Sequence, residues 1–222
     1  MELKGKKINF LGDSITEGCG TSCPEAAFHQ QLKARAGLAA ARNYGIGGTR
    51  IARQSTYRPE GPNEPYDIDF QLRAPEMDPD ADITVVFGGT NDFGHGDAPL
   101  GSFDDRTPMT FYGGCHLLMQ TLLERFPDQL IVIMTPIHRL EEDRLVDGAP
   151  SADPADHLES YVNALQQVAA YYALPVLDLF RVSGIQPSVP VIQEKYCPDG
   201  LHPSDAGHAR IASLLEGFLR AL

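Results

Sequence analysis

Phe10-Leu11-Gly12-Asp13-Ser14-Ile15-Thr16-Glu17-Gly18 is the stretch on which the fold turns, because an apolar run ends there and a helix-like run begins almost at once. Residues 7–11 are apolar and β-prone, and Gly12 allows the sharp turn that follows. A serine at such a junction points its hydroxyl outward. It also lies near backbone N–H groups and the positive end of a helix, where an oxyanion forming on a bound acyl group would be stabilised.

Further β-branched apolar runs occur at 82–87, 129–134 and 175–179, with a weaker one at 42–44. Helix-like stretches at 25–36, 110–125, 154–172 and 204–222 separate or follow them. This alternation predicts an α/β fold, a three-layer sandwich with parallel strands and crossover helices. In the last helix, Ile211, Leu214, Leu215, Phe218, Leu219 and Leu222 form a stripe expected to face the sheet, with Ser204 as its N-cap and Pro203 just before it.

No repeat, low-complexity tract or linker divides the chain, so residues 1–222 read as one domain, and 222 residues suffice for a substantial core. Proline- and glycine-rich stretches at 57–66, 93–108 and 138–154 are expected to form the rim of a pocket, since ligands bind beyond the carboxyl ends of parallel strands.

Thirty acidic against 18 basic residues give a net charge of −12, which opposes nonspecific binding to nucleic acid or anionic membranes. No apolar run approaches membrane-spanning length and the polar N-terminus has no signal-peptide core, so a cytoplasmic location is expected. Cys19, Cys23, Cys115 and Cys197 are too sparse for a disulfide scaffold and read as reduced thiols. Neither Cys19 nor Cys23 has the partners of a zinc site, so no metal and no cofactor is expected. Gly45-Ile46-Gly47-Gly48 fails as a dinucleotide fingerprint because Arg50 stands where its last glycine belongs. No apolar stripe is left over to define an oligomer.

A serine hydroxyl needs a base. In Cys197-Pro198-Asp199-Gly200-Leu201-His202-Pro203, a carboxylate three residues before an imidazole can hold one ring nitrogen and leave the other for Ser14. His29, His116, His157 and His208 fall in helix-like segments and read as core or surface residues, whereas His95 and His138 fall in the expected rim. Oxyanion donors are available after two strands. Gly88-Gly89-Thr90-Asn91-Asp92 offers an amide side chain, and Asn43-Tyr44-Gly45-Ile46-Gly47-Gly48-Thr49 offers glycine N–H groups.

Taken together, these blocks resemble the SGNH hydrolases, the GDSL-like lipase/acylhydrolase family: Gly12-Asp13-Ser14, Asn43 to Gly48, Gly89-Thr90-Asn91-Asp92 and Asp199 to His202, in the family order across nearly the whole chain. The resemblance implies a flavodoxin-like α/β/α sandwich with a five-stranded parallel sheet. It also implies ester hydrolysis through an acyl-enzyme, with Ser14, Asp199 and His202 catalytic and the oxyanion held by Ser14, Gly48 and Asn91. Asp13 and Asp92 are expected to hold neighbouring turns rather than move protons.

The rim residues Arg50, Arg53, Tyr57, Arg58, Tyr66, Phe93, His95, Phe103, Arg106 and His138 are polar or aromatic, without a long apolar run. The expected partner is therefore a small-molecule ester with a short acyl group, acetyl on a sugar being preferred. The alternatives are a lysophospholipase or thioesterase, acyl transfer to an acceptor other than water, and a non-catalytic carbohydrate-binding protein on the same fold.

Overall fold

The computed structural model describes residues 1–55 and 68–222, so Tyr57, Arg58, Tyr66 and the 57–66 rim stretch lie outside the described residues. In chain order the elements are β1 (Lys7–Gly12), α1 (Ser14–Glu17), α2 (Phe28–Ala36), β2 (Ala40–Gly45), α3 (Phe70–Arg73), β3 (Ile83–Phe87), α4 (Thr90–His95) and α5 (Phe111–Arg125). There follow β4 (Leu130–Met134), the short strands β5 (Leu145–Val146) and β6 (Ala149–Pro150), α6 (Leu158–Tyr171), β7 (Val176–Leu177), α7 (Leu179–Val182), α8 (Pro190–Tyr196) and α9 (Asp205–Ala221).

Five parallel strands form the main sheet in the order β2-β1-β3-β4-β7. Side chains alternate across it, as the pleat requires. Ile8, Phe10, Ile83, Val85, Phe87, Val132 and Met134 pack with α2 and α9, while Leu11, Val86, Ile131 and Ile133 pack with α5 and α6. Helices thus cover both faces, giving the three-layer α/β/α sandwich expected.

Register sets the position of the site. Gly12 of β1 pairs with Gly45 of β2 and with Phe87 of β3, so three strands end at one level and release their following segments side by side. The order reverses between β1 and β3, which makes this the switch-point crevice where ligands bind in open α/β sheets.

Several boundaries differ from expectation. The stretch 25–36 is broken at Ala27, whose ψ of 142° separates a short 3-10 turn from α2. The strand expected over 175–179 is only Val176–Leu177, because Asp178 caps α7 through the N–H of Arg181 and turns Leu179 into a helix. The rim stretch 93–108 begins inside α4, and His157 precedes α6 rather than lying in it. In α9, Ile211, Leu215 and Leu219 are buried and Leu214 and Phe218 pack beside them, but Leu222 is exposed beyond the helix end. Ser204 is the N-cap, its hydroxyl accepting from Gly207 N at 3.3 Å. All four cysteines are free. Among the described residues no helix is long and apolar enough to cross a membrane.

Candidate active site

Ser14 opens α1, and the preceding Asp13 caps that helix by accepting the N–H of Ile15 at 3.0 Å. The turn needs glycine at position 12, since a Cβ there would strike the Thr16 side chain and lie 2.7 Å from Phe87 O. Ser14 Oγ is 3.0 Å from His202 Nε2, and His202 Nδ1 is 2.7 Å from Asp199 Oδ2. The other carboxylate oxygen of Asp199 accepts the N–H groups of Leu201 at 2.8 Å and His202 at 2.7 Å. Burial tends to raise the Asp199 pKa, but these N–H groups and His202 outweigh it and leave the carboxyl below its usual range. An imidazole held in this way can take a proton from the hydroxyl while its other nitrogen stays paired with a carboxylate.

Contacts distant in sequence fix the approach of the two loops. Gly20, at φ +90°, lies against Pro203 O with no room for a Cβ. Ser22 donates to Asp205 at the start of α9 through its N–H at 2.8 Å and its hydroxyl at 2.6 Å. His208 of α9 accepts the N–H of Phe28 at 3.1 Å, and burial lowers its pKa to about 4, so it serves as a neutral packing residue. His29, likewise lowered to about 4 by burial, contacts Thr16 O at 3.1 Å. His116 is also buried, with Phe103 O as its partner.

The end of β2 and the segment after it are anchored to α1 and to α4. Asn43 Nδ2 donates to Glu17 O at 3.2 Å, and Gly47 N donates to the Glu17 carboxylate at 2.8 Å. Gly48 follows in the left-handed region at φ +75°. Asn91 Nδ2 donates to Thr49 O at 3.1 Å, and Asp92 accepts Ile51 N at 3.0 Å and Ala52 N at 2.8 Å. Ser14, Gly48 and Asn91 therefore come from three segments leaving adjacent strands.

Asp13 and Asp92 hold turns, as expected. Burial raises Asp13 to about 7, opposed by the Ile15 N–H and reinforced by Asp92. Asp92 is raised to about 6 by burial, against the N–H groups of Ala52 and Ile51. Beneath them Arg73 donates to Tyr44 O at 2.7 Å, Gly12 O at 3.0 Å and Thr49 Oγ1 at 2.9 Å, stapling the ends of β1 and β2. Nothing in the sequence marks this role, because Arg73 lies in a four-residue helix distant along the chain from both strands.

The expected rim is partly packed away. Arg53 pairs with the buried Asp69 at 2.7 Å, Phe93 and Arg50 are buried, and Phe103 packs on Tyr112, His116 and Tyr171. Arg106 donates to Phe103 O, and His138 stacks on Phe180 and contacts Glu142 at 2.6 Å. The flank of α4 instead borders a cavity lined by Phe93, Arg139, Glu141, Asp143, Arg144 and Leu145. Arg139 of that cavity donates to Thr90 O at 3.2 Å, one residue before Asn91. No group of three or more histidine, cysteine or acidic residues able to hold a metal occurs among the described residues.

Residues 10–210 match the GDSL-like lipase/acylhydrolase family. A solved structure from Lactobacillus plantarum is similar at 31% identity and a TM-score of 0.81, covering 98% of each chain. The salicylyl-acyltransferase SsfX3 from a tetracycline biosynthetic pathway shares the fold at 19% identity and a TM-score of 0.66, over 98% of this chain and 55% of that one. A two-domain esterase active on acetylated mannans does so at 21% identity and a TM-score of 0.61, over 97% and 48% of the two chains. Comparison with curated proteins gave no match.

Proposed function

Because the chain belongs to the GDSL-like lipase/acylhydrolase family, we propose that it is a serine esterase that hydrolyses short acyl esters, acetyl on a carbohydrate-like alcohol foremost, through an acyl-enzyme. What supports this reading most is the continuous contact from Ser14 Oγ through His202 to Asp199, at 3.0 and 2.7 Å. His202 Nε2 takes the hydroxyl proton as Oγ bonds to the carbonyl carbon and the C=O electron pair moves onto oxygen. The Ser14 and Gly48 N–H groups and Asn91 Nδ2 receive that oxyanion. Its collapse expels the alcohol oxygen, which leaves with the proton from His202. Water then adds to the acyl-enzyme as His202 takes its proton, and the second collapse returns that proton to Ser14 Oγ and frees the acid. Asp199 stays ionised and steadies the imidazolium.

Support for a short acyl group and a hydroxylated alcohol comes from the charged lining of the cavity beside α4, which suits polar groups better than a long hydrocarbon chain. The fold neighbour active on acetylated mannans points the same way. The test is a series of p-nitrophenyl esters from acetyl to decanoyl, followed by release of acetate from acetylated sugars. Activity is expected to peak at acetyl. A maximum on long chains overturns the short-acyl reading in favour of a lysophospholipase or thioesterase, and no turnover of any ester favours a binding protein or a transferase.

A further inference from the structure

Asn91 is an amide whose two ends must be told apart for it to donate to an oxyanion, and its surroundings do this. Arg50, 8% exposed, donates from Nη1 to His95 Nδ1 at 2.9 Å. A guanidinium can only donate, so Nδ1 carries a lone pair and the ring proton resides on Nε2. His95 Nε2 lies 3.1 Å from Asn91 Oδ1 and therefore donates to it. Thr49 O can only accept, and it takes one hydrogen of Asn91 Nδ2 at 3.1 Å. Both ends of the amide are thus assigned by partners of fixed polarity. Nδ2 is left with one further hydrogen in a plane it cannot readily leave.

We infer that Arg50 and His95 form a positioning relay that sets the tautomer of His95, and through it the orientation of Asn91, so that Nδ2 faces the developing oxyanion. The relay rests on the oxyanion role proposed above for Asn91. His95 is a positioning residue, four positions after Asn91 and on the same side of α4. Partial burial, together with the charges of Arg50 and Arg139, lowers its pKa and favours the neutral ring that the relay requires.

A double-mutant cycle on p-nitrophenyl acetate tests this, with thermal unfolding measured on every variant. His95→Leu is expected to lower kcat about 10- to 100-fold with KM within about twofold, since a donor realised in the transition state acts on kcat. His95→Gln keeps an N–H donor for Oδ1 and is expected to recover most of the loss. In the Asn91→Ala background, His95→Leu is expected to cost nothing more. Multiplicative losses in the double variant, or a His95→Leu effect confined to KM, overturn the relay. A slow Asn91→Ala beside an unimpaired His95→Leu does the same and leaves the oxyanion reading standing. If Asn91→Ala itself keeps full kcat, that reading falls and the relay falls with it.

Discussion

Asp13 sits directly before Ser14 with its carboxyl raised by burial from 3.8 to about 7. Between those values the native state holds a proton that the unfolded chain has released, so this group favours folding at low pH and its contribution is lost as pH climbs through 7. Asn can accept the same Ile15 N–H without a charge to bury. Asp13→Asn is therefore expected to match the wild type near pH 4 and to gain stability over it as pH rises to 8, by about 4 kcal/mol. Urea unfolding at pH 4, 6 and 8 checks this, and a constant difference across the range contradicts it. Such a buried carboxylate beside a reactive hydroxyl costs stability, a cost often found where a site needs a particular backbone turn.

Among elements, the junctions after β1 and β2 have the least tolerance. A Cβ on Gly45 would collide with the backbone of α1 at Glu17 N, and no side chain can move aside to relieve it. Gly45→Ala is expected to destabilise the fold by about 2–4 kcal/mol and to impair catalysis by shifting α1 against the Gly48 turn. Arg73→Ala strands carbonyls at the ends of both strands, and a melting experiment is expected to record a loss of about 2–4 kcal/mol. A change below 1 kcal/mol in either variant would mean that these junctions yield more easily than the packing implies.

What is legible in the sequence is what lies together along the chain. Asp199 and His202 lie three residues apart in one turn, and Ser14 stands two residues after Gly12, the glycine that ends β1. The helix α4 is not legible, because Gly94 and the following Gly96 mask it, and with it the four-residue link from Asn91 to His95. Nor are the partners of Arg50, Arg53 and Arg73, whose charges are visible in sequence but whose contacts, His95, Asp69 and the strand ends, are chosen by packing across long separations.

At the scale of the whole molecule, one parallel sheet gathers segments from both ends of the chain at a single crevice. Ser14 and Asn91 leave the adjacent strands β1 and β3, and His202 arrives 188 residues after Ser14 on the loop before α9. The clamps from Ser22 to Asp205 and from Phe28 to His208 bring that loop within hydrogen-bonding distance of the hydroxyl. The proposed chemistry needs only these side chains and water, which makes Ser14 the point at which it is most exposed to test. The direct measurement is kcat/KM for p-nitrophenyl acetate in wild type and Ser14→Ala, both with a metal chelator and both shown to be folded. Loss of the nucleophile is expected to lower kcat/KM by at least about 10³-fold, with wild-type activity unaffected by the chelator. A Ser14→Ala protein that turns over at the wild-type rate would contradict the acyl-enzyme mechanism.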